Sequence, residues 1–189
     1  MLNLRQSNDR EASRRWALDL LARSDWAVLD TETTGLDGAA EAVQIAIVAP
    51  DGATLLDTLV RPTGPIPPDA TAVHGITDAI VASAPSFREL YRTLRDVLRG
   101  RTIIAYNAAF DRRILRQTAL HNEVNELPLI WQCAMEQYAR FVGQWSDRRG
   151  SYAWQKLPRR PEYDQQRHQA IVDCLATLDV LHRMAGQPR

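Results

Sequence analysis

The order of its apolar runs constrains this chain most: a pair of strands joined by a tight turn, then strand and helix in alternation. Residues 43–48 (VQIAIV) and 54–60 are separated by Pro50-Asp51-Gly52, which predicts an antiparallel hairpin. The short run 26–30 (WAVLD) ahead of them predicts a central strand. Beyond the hairpin, 102–106 (TIIAY) and 127–131 predict two further buried strands, and helices are expected over 86–99, 108–121, 133–141 and 169–184. Ser86 is placed to cap the first of these and Gly100 to stop it. A first helix, capped by Asn8 or Asp9, is expected to run to about Arg23 with Trp16, Ala17, Leu20 and Leu21 on one face. Residues 61–68 hold four prolines and read as a loop, and 143–164 read as a long, mostly irregular one. Such an order implies a mixed sheet with helices packed on it.

A length of 189 residues suits one domain with an appended element, here a helical extension over 1–24. The 45% hydrophobic and 24% charged fractions exclude a fully disordered chain. The apolar runs are too short to span a membrane, and the polar first residues carry no signal-peptide core. Cys133 and Cys174 make neither a CxxC pair nor a disulfide framework, so a cytoplasmic location is expected. The net charge of zero weighs against electrostatic wrapping of long duplex nucleic acid. That total hides a segregation. Residues 24–85 hold nine acids against one base, Arg61, whereas 86–116 hold eight bases against three acids.

Three short constellations carry the chemistry. Asp30 and Glu32 stand at i and i+2 near a strand end, so both carboxylates project to one side. Hard divalent cations favour such a pair; the structural alternative is a solvated strand end followed by the turn at Gly35. Asp111 precedes Ile114 and Leu115 by one turn and so lies on the core-facing side of its helix. There a carboxylate is paired, protonated or metal-bound, or is a first-turn acid favoured by the helix dipole. His168 and Asp173 would stand about 140° apart on a continuous helix, so they converge only if His168 lies on the entering loop.

Together, in this order, Asp-x-Glu-x-x-Gly (30–35), Asn-x-x-Phe-Asp (107–111) and His-x4-Asp (168–173) resemble the DEDDh exonuclease family. That family includes the proofreading epsilon subunit of bacterial DNA polymerase III, ribonuclease T and oligoribonuclease. The segment 72–77 (AVHGIT) resembles the epsilon-like branch, and the resemblance spans about 25–185. It implies an α/β, ribonuclease H-like fold over 25–186: a five-stranded mixed sheet with helices on both faces.

The resemblance also implies a metal-dependent 3′→5′ exonuclease that releases nucleoside 5′-monophosphates from single-stranded ends, with DNA as the expected substrate. Two Mg²⁺ or Mn²⁺ ions would be held by Asp30, Glu32, Asp111 and Asp173, with His168 as general base. Thr33, Thr34, Gly35 and Leu36 would line the terminal nucleotide, with Asn107 beside it. Leu36 and Phe110 would offer apolar surface to bases, and His74 would belong to the base-side wall. Tyr106, where epsilon-like members often have His, and Trp131-Gln132-Cys133 depart from the family pattern. The chain stops soon after its last helix, so no polymerase-binding tail is evident and a stand-alone enzyme, with a homo-oligomer open, is expected. Two other readings remain: a ribonuclease of the oligoribonuclease or ribonuclease T kind, and a non-catalytic nucleic-acid-binding or scaffold protein. Retention of all four carboxylates weighs against the second. With two divalent ions bound, the chain would carry about +4. The bases and aromatics interleaved over 144–167 would either grip a single strand or simply pin their own loop.

Overall fold

The computed structural model describes residues 2–158 and 169–187. In chain order these form α1 (Leu2–Leu21), β1 (Trp26–Thr33), β2 (Ala42–Val48), β3 (Thr54–Leu59), α2 (Pro68–His74), α3 (Asp78–Val81) and α4 (Phe87–Leu98). Then follow β4 (Thr102–Ala105), α5 (Ala108–His121), β5 (Ile130–Cys133), α6 (Ala134–Val142), β6 (Trp145–Ser146), β7 (Ser151–Tyr152) and α7 (Ala170–Ala185).

The main sheet is five-stranded in the order β3-β2-β1-β4-β5, antiparallel on the hairpin side and parallel on the other. Alternation along the strands supplies both faces with apolar side chains. Trp26, Val28, Ala46, Val48 and Ile104 pack against α1, α6 and α7. Ala27, Leu29, Ile45, Ile47 and Ile103 pack against α4 and α5. Helices therefore cover both faces, which is the ribonuclease H-like layering. A smaller cluster of Val43, Ile66, Ala70, Ile76 and Val81 seats α2 and α3 beside the hairpin.

Several expectations are corrected. The first helix begins at Leu2, not at Asn8 or Asp9. Asp9 lies within it, and its carboxylate accepts from the Tyr152 hydroxyl (2.6 Å). The last strand of the sheet is β5, shifted toward the C-terminus from 127–131 and half-exposed at the sheet edge rather than buried. Pro128 has no N–H to give a ladder, so pairing starts beyond it, while Leu127 and Leu129 reach the core from the connection. The loop after α6 contains a two-stranded hairpin, β6–β7, with Trp145 opposite Tyr152. Helices α2 and α3 were not foreseen. Pro68 stands at the first helical turn, where its missing N–H costs nothing, and Gly75 (φ 80°) ends α2 in the left-handed region. Among the described residues, no helix is long and apolar enough to cross a membrane.

Candidate active site

Strand β4 pairs with β1 only along Trp26–Val28, and the β1–β2 ladder continues to Thr33. The C-terminal half of β1 thus projects past the end of β4, and a cleft opens there, as at the carboxyl ends of parallel strands generally. A cavity of about 750 Å³ occupies it. Asp30, Glu32, Thr33, Thr34, Gly35, Leu36, His74, Asn107, Phe110, Asp111 and Asp173 all line this cavity. His168 lies outside the described residues. Tyr106 and Leu157, which the motifs do not single out, line the cavity as well.

Asp30 and Glu32 leave β1 on the face that carries Trp26 and Val28, toward α7. Asp173 stands in the first turn of α7, where the helix dipole favours a carboxylate. One carboxylate oxygen from each of Asp30, Glu32 and Asp173 lies within 4.8 Å of the others. Bringing three acids this close costs Coulomb energy that a bound cation would repay. Their oxygen-only donors suit a hard divalent ion such as Mg²⁺ or Mn²⁺ rather than Zn²⁺. The residues present therefore fit a metal.

Asp111 arrives from the opposite face, on the first turn of α5, and is buried. Its Oδ1 accepts from the Thr31 hydroxyl at 2.9 Å. Burial pushes its carboxyl up to about 7; bonds from Thr31 and the backbone oppose that rise, and the neighbouring Asp173 adds to it. Burial, then the charges of Asp30, Asp111 and Asp173, also pushes the Cys174 thiol up, so it stays neutral beneath the acids.

The wall formed by residues 33–41 is braced from below by α5. Arg113 donates to the carbonyls of Asp37 (2.8 Å) and Leu36 (3.2 Å), and Gln117 donates to those of Asp37 and Ala40. The Arg113 guanidinium also lies 5.3 Å from the Phe110 ring centroid. This bracing holds Leu36 79% exposed at the cleft mouth. His74 is buried behind it. The Ile76 N–H donates to His74 Nδ1 (3.0 Å), so Nε2 carries the ring proton and donates to the Thr33 carbonyl (3.1 Å). His74 thus lines the cavity while gripping the backbone just after Glu32. On the facing wall, the Tyr106 hydroxyl donates to the Gln155 carbonyl (2.7 Å) and ties the segment ending at Leu157 to the cleft.

Comparison with known proteins agrees with this geometry. Residues 27–181 match the family model described as Exonuclease, of the ribonuclease T type. The chain is 34% identical over 189 residues to the uncharacterized exonuclease CP81 of Escherichia phage 186, with 93% of each chain covered. It is 31% identical over 156 residues to exodeoxyribonuclease 10 of Escherichia coli K12, covering 82% of this chain and 66% of that one. Among solved structures, exonuclease X in complex with 5′-overhanging duplex DNA superposes with a TM-score of 0.54 at 28% identity, over 86% of this chain and 94% of that one. With its matched span, the chain belongs to the exonuclease family of the ribonuclease T type.

Proposed function

We propose that this protein is a metal-dependent 3′→5′ exonuclease that releases nucleoside 5′-monophosphates from single-stranded DNA ends. The observation that carries the reading is the convergence of Asp30, Glu32 and Asp173 within 4.8 Å in the cleft beyond β4. The names of the similar exodeoxyribonuclease 10 and of the DNA-bound exonuclease X favour DNA over RNA.

In this reading Asp30, Glu32 and Asp173 would hold one divalent ion, and Asp111 would support a second. Bound there, two Mg²⁺ or Mn²⁺ ions would supply Lewis-acid stabilisation of the attacking and leaving oxygens. His168, five residues before Asp173, takes the proton from the water; an imidazole titrates near neutrality and suits that task. Thr33, Thr34 and Gly35 hold the terminal nucleotide with Asn107, while Leu36 and Phe110 present apolar surface to its base. His74 orients that wall through the Thr33 carbonyl. Residues 25–186 make up the nuclease unit, and 1–24 add a helix whose Ser13, Ala17 and Leu20 are buried in its contact with α6 and α7.

The test uses the purified chain with Mg²⁺ or Mn²⁺ on 3′- and 5′-labelled DNA and RNA oligomers. Mononucleotides should leave 3′ ends, EDTA should stop the reaction, and Asp30→Ala and His168→Ala should abolish it. Release from 5′ ends, or activity that survives EDTA, would refute the reading; faster cleavage of RNA would reassign the substrate.

A further inference from the structure

We propose that Trp154 is a stacking platform for bases upstream of the scissile end, on the same single strand whose 3′ terminus enters the cleft. The proposal rests on the exonuclease reading above and extends it to a second contact outside the cavity.

Exposure of an apolar side chain says little by itself. Leu120 and Ile130 are 73% and 68% exposed with no such setting, whereas Trp154, 66% exposed, stands on a braced strip of chain. Just before it, the Tyr152 hydroxyl is bonded to Asp9, and the Ala153 N–H donates to the Gln144 carbonyl (2.7 Å). Just after it, the Gln155 carbonyl accepts from Tyr106 (2.7 Å), and the Gln155 amide donates back to Ala153 (2.9 Å). Trp145 packs edge-on against Tyr152 at 5.3 Å beneath this strip. A large indole held this firmly in solvent gives up the stabilisation that burial would bring, so its position needs another account.

Three observations commit the platform to nucleic acid. Leu157, three residues on, lines the catalytic cavity, and three residues of chain span at most about 10 Å. Trp154 itself lines a neighbouring concavity with Trp145 and Tyr152, so a strand leaving the cleft along residues 155–157 would reach the indole within a few nucleotides. The Arg149 guanidinium lies 6.0 Å from the Trp154 ring centroid, where it can also meet a phosphate. The stretch 144–158 holds three bases, Arg148, Arg149 and Lys156, against one acid, Asp147. An indole face beside arginine is the pairing that grips single strands without regard to sequence.

Hydrolysis of a dinucleotide and of a much longer oligothymidylate is compared in wild type, Trp154→Leu and Trp154→Phe, with thermal melting to verify folding. The wild type should favour the longer substrate. Trp154→Leu should cut that advantage roughly tenfold, chiefly through KM, and Trp154→Phe should restore most of it. Binding of the same oligothymidylate in EDTA should quench wild-type tryptophan fluorescence more than that of Trp154→Leu, a readout free of turnover. An unchanged ratio and quench in Trp154→Leu would overturn the platform, as would a loss in Trp154→Phe equal to that in Trp154→Leu. If wild type degrades neither substrate, the exonuclease reading fails instead.

Discussion

Asp111 and Glu41 are both carboxylates at 3% exposure, yet their surroundings differ in kind. Glu41, just before β2, accepts from the backbone and hydroxyl of Thr63 and from Asn122, with His121 Nδ1 at 3.6 Å. It is a strut that ties the proline-rich loop to the end of α5. Asp111 accepts from Thr31 and nearby backbone while facing the charge of Asp173. The first site is finished by its own hydrogen bonds, whereas burial and the neighbouring Asp173 make the charged form of the second costly. Burial alone therefore does not mark a functional acid; the sign of what surrounds it does.

The largest effect expected from this contrast is on turnover. If Asp111 supports the second ion as proposed, Asp111→Asn should lower the initial rate on a 3′-labelled oligomer by about a hundredfold. Next comes stability, where the two acids should part in sign. Glu41→Ala strands buried donors and should destabilise by about 1–3 kcal/mol in urea unfolding. Asp111→Asn should stabilise the metal-free protein near pH 8 by a similar amount, roughly 1–3 kcal/mol. Destabilisation by both would erase the distinction.

The pH dependence follows from the same acid. Its folded-state value, about 7, exceeds the ordinary 3.8, so between those values the folded chain binds more protons than the unfolded one. Metal-free stability should therefore fall as pH rises from about 4 to about 7, and Asp111→Asn should flatten that slope in melts across the range. Adding Mn²⁺ should raise the melting temperature on the alkaline side, by mass action on the folded state. The smallest effect concerns Arg113, which braces the wall without touching either acid. Arg113→Met should raise KM for a single-stranded oligomer several-fold, up to about tenfold, with kcat little changed; a kcat loss of the same size would make it part of the chemistry.

Much of the frame is legible in the sequence because local signals agree with packing there. The run at 26–30 becomes the centre of the sheet, the Pro-Asp-Gly turn joins β2 to β3, and Ser86 with Glu89 forms the capping box of α4. The i, i+2 spacing of Asp30 and Glu32 and the core-facing setting of Asp111 are also readable before any fold is known. Other parts depend on contacts that no local pattern encodes. Helices α2 and α3 are too short for periodicity to reveal and are held by the cluster around Val43 and Ile66. Pro128 moves the edge strand by what it lacks. The bracing by Arg113 and Gln117 leaves no local signal, since their partners are carbonyls of a distant loop. Glu41 gave no signal at all: one acid beside two alanines becomes a strut only when Thr63 and Asn122 fold around it.

The grip of His74 on the 33–41 wall also limits how this enzyme can diverge. Bridging the Ile76 amide to the Thr33 carbonyl takes an acceptor and a donor on opposite sides of one small rigid ring. Asn and Gln carry both functions, but at one end of a flexible chain; Tyr and Trp place a single polar atom at the rim. Among the common side chains, only neutral imidazole spans that gap. Substitutions drift freely where a wall needs only bulk or polarity, but at this position exchange should be close to forbidden, although the residue need never touch the bond being broken.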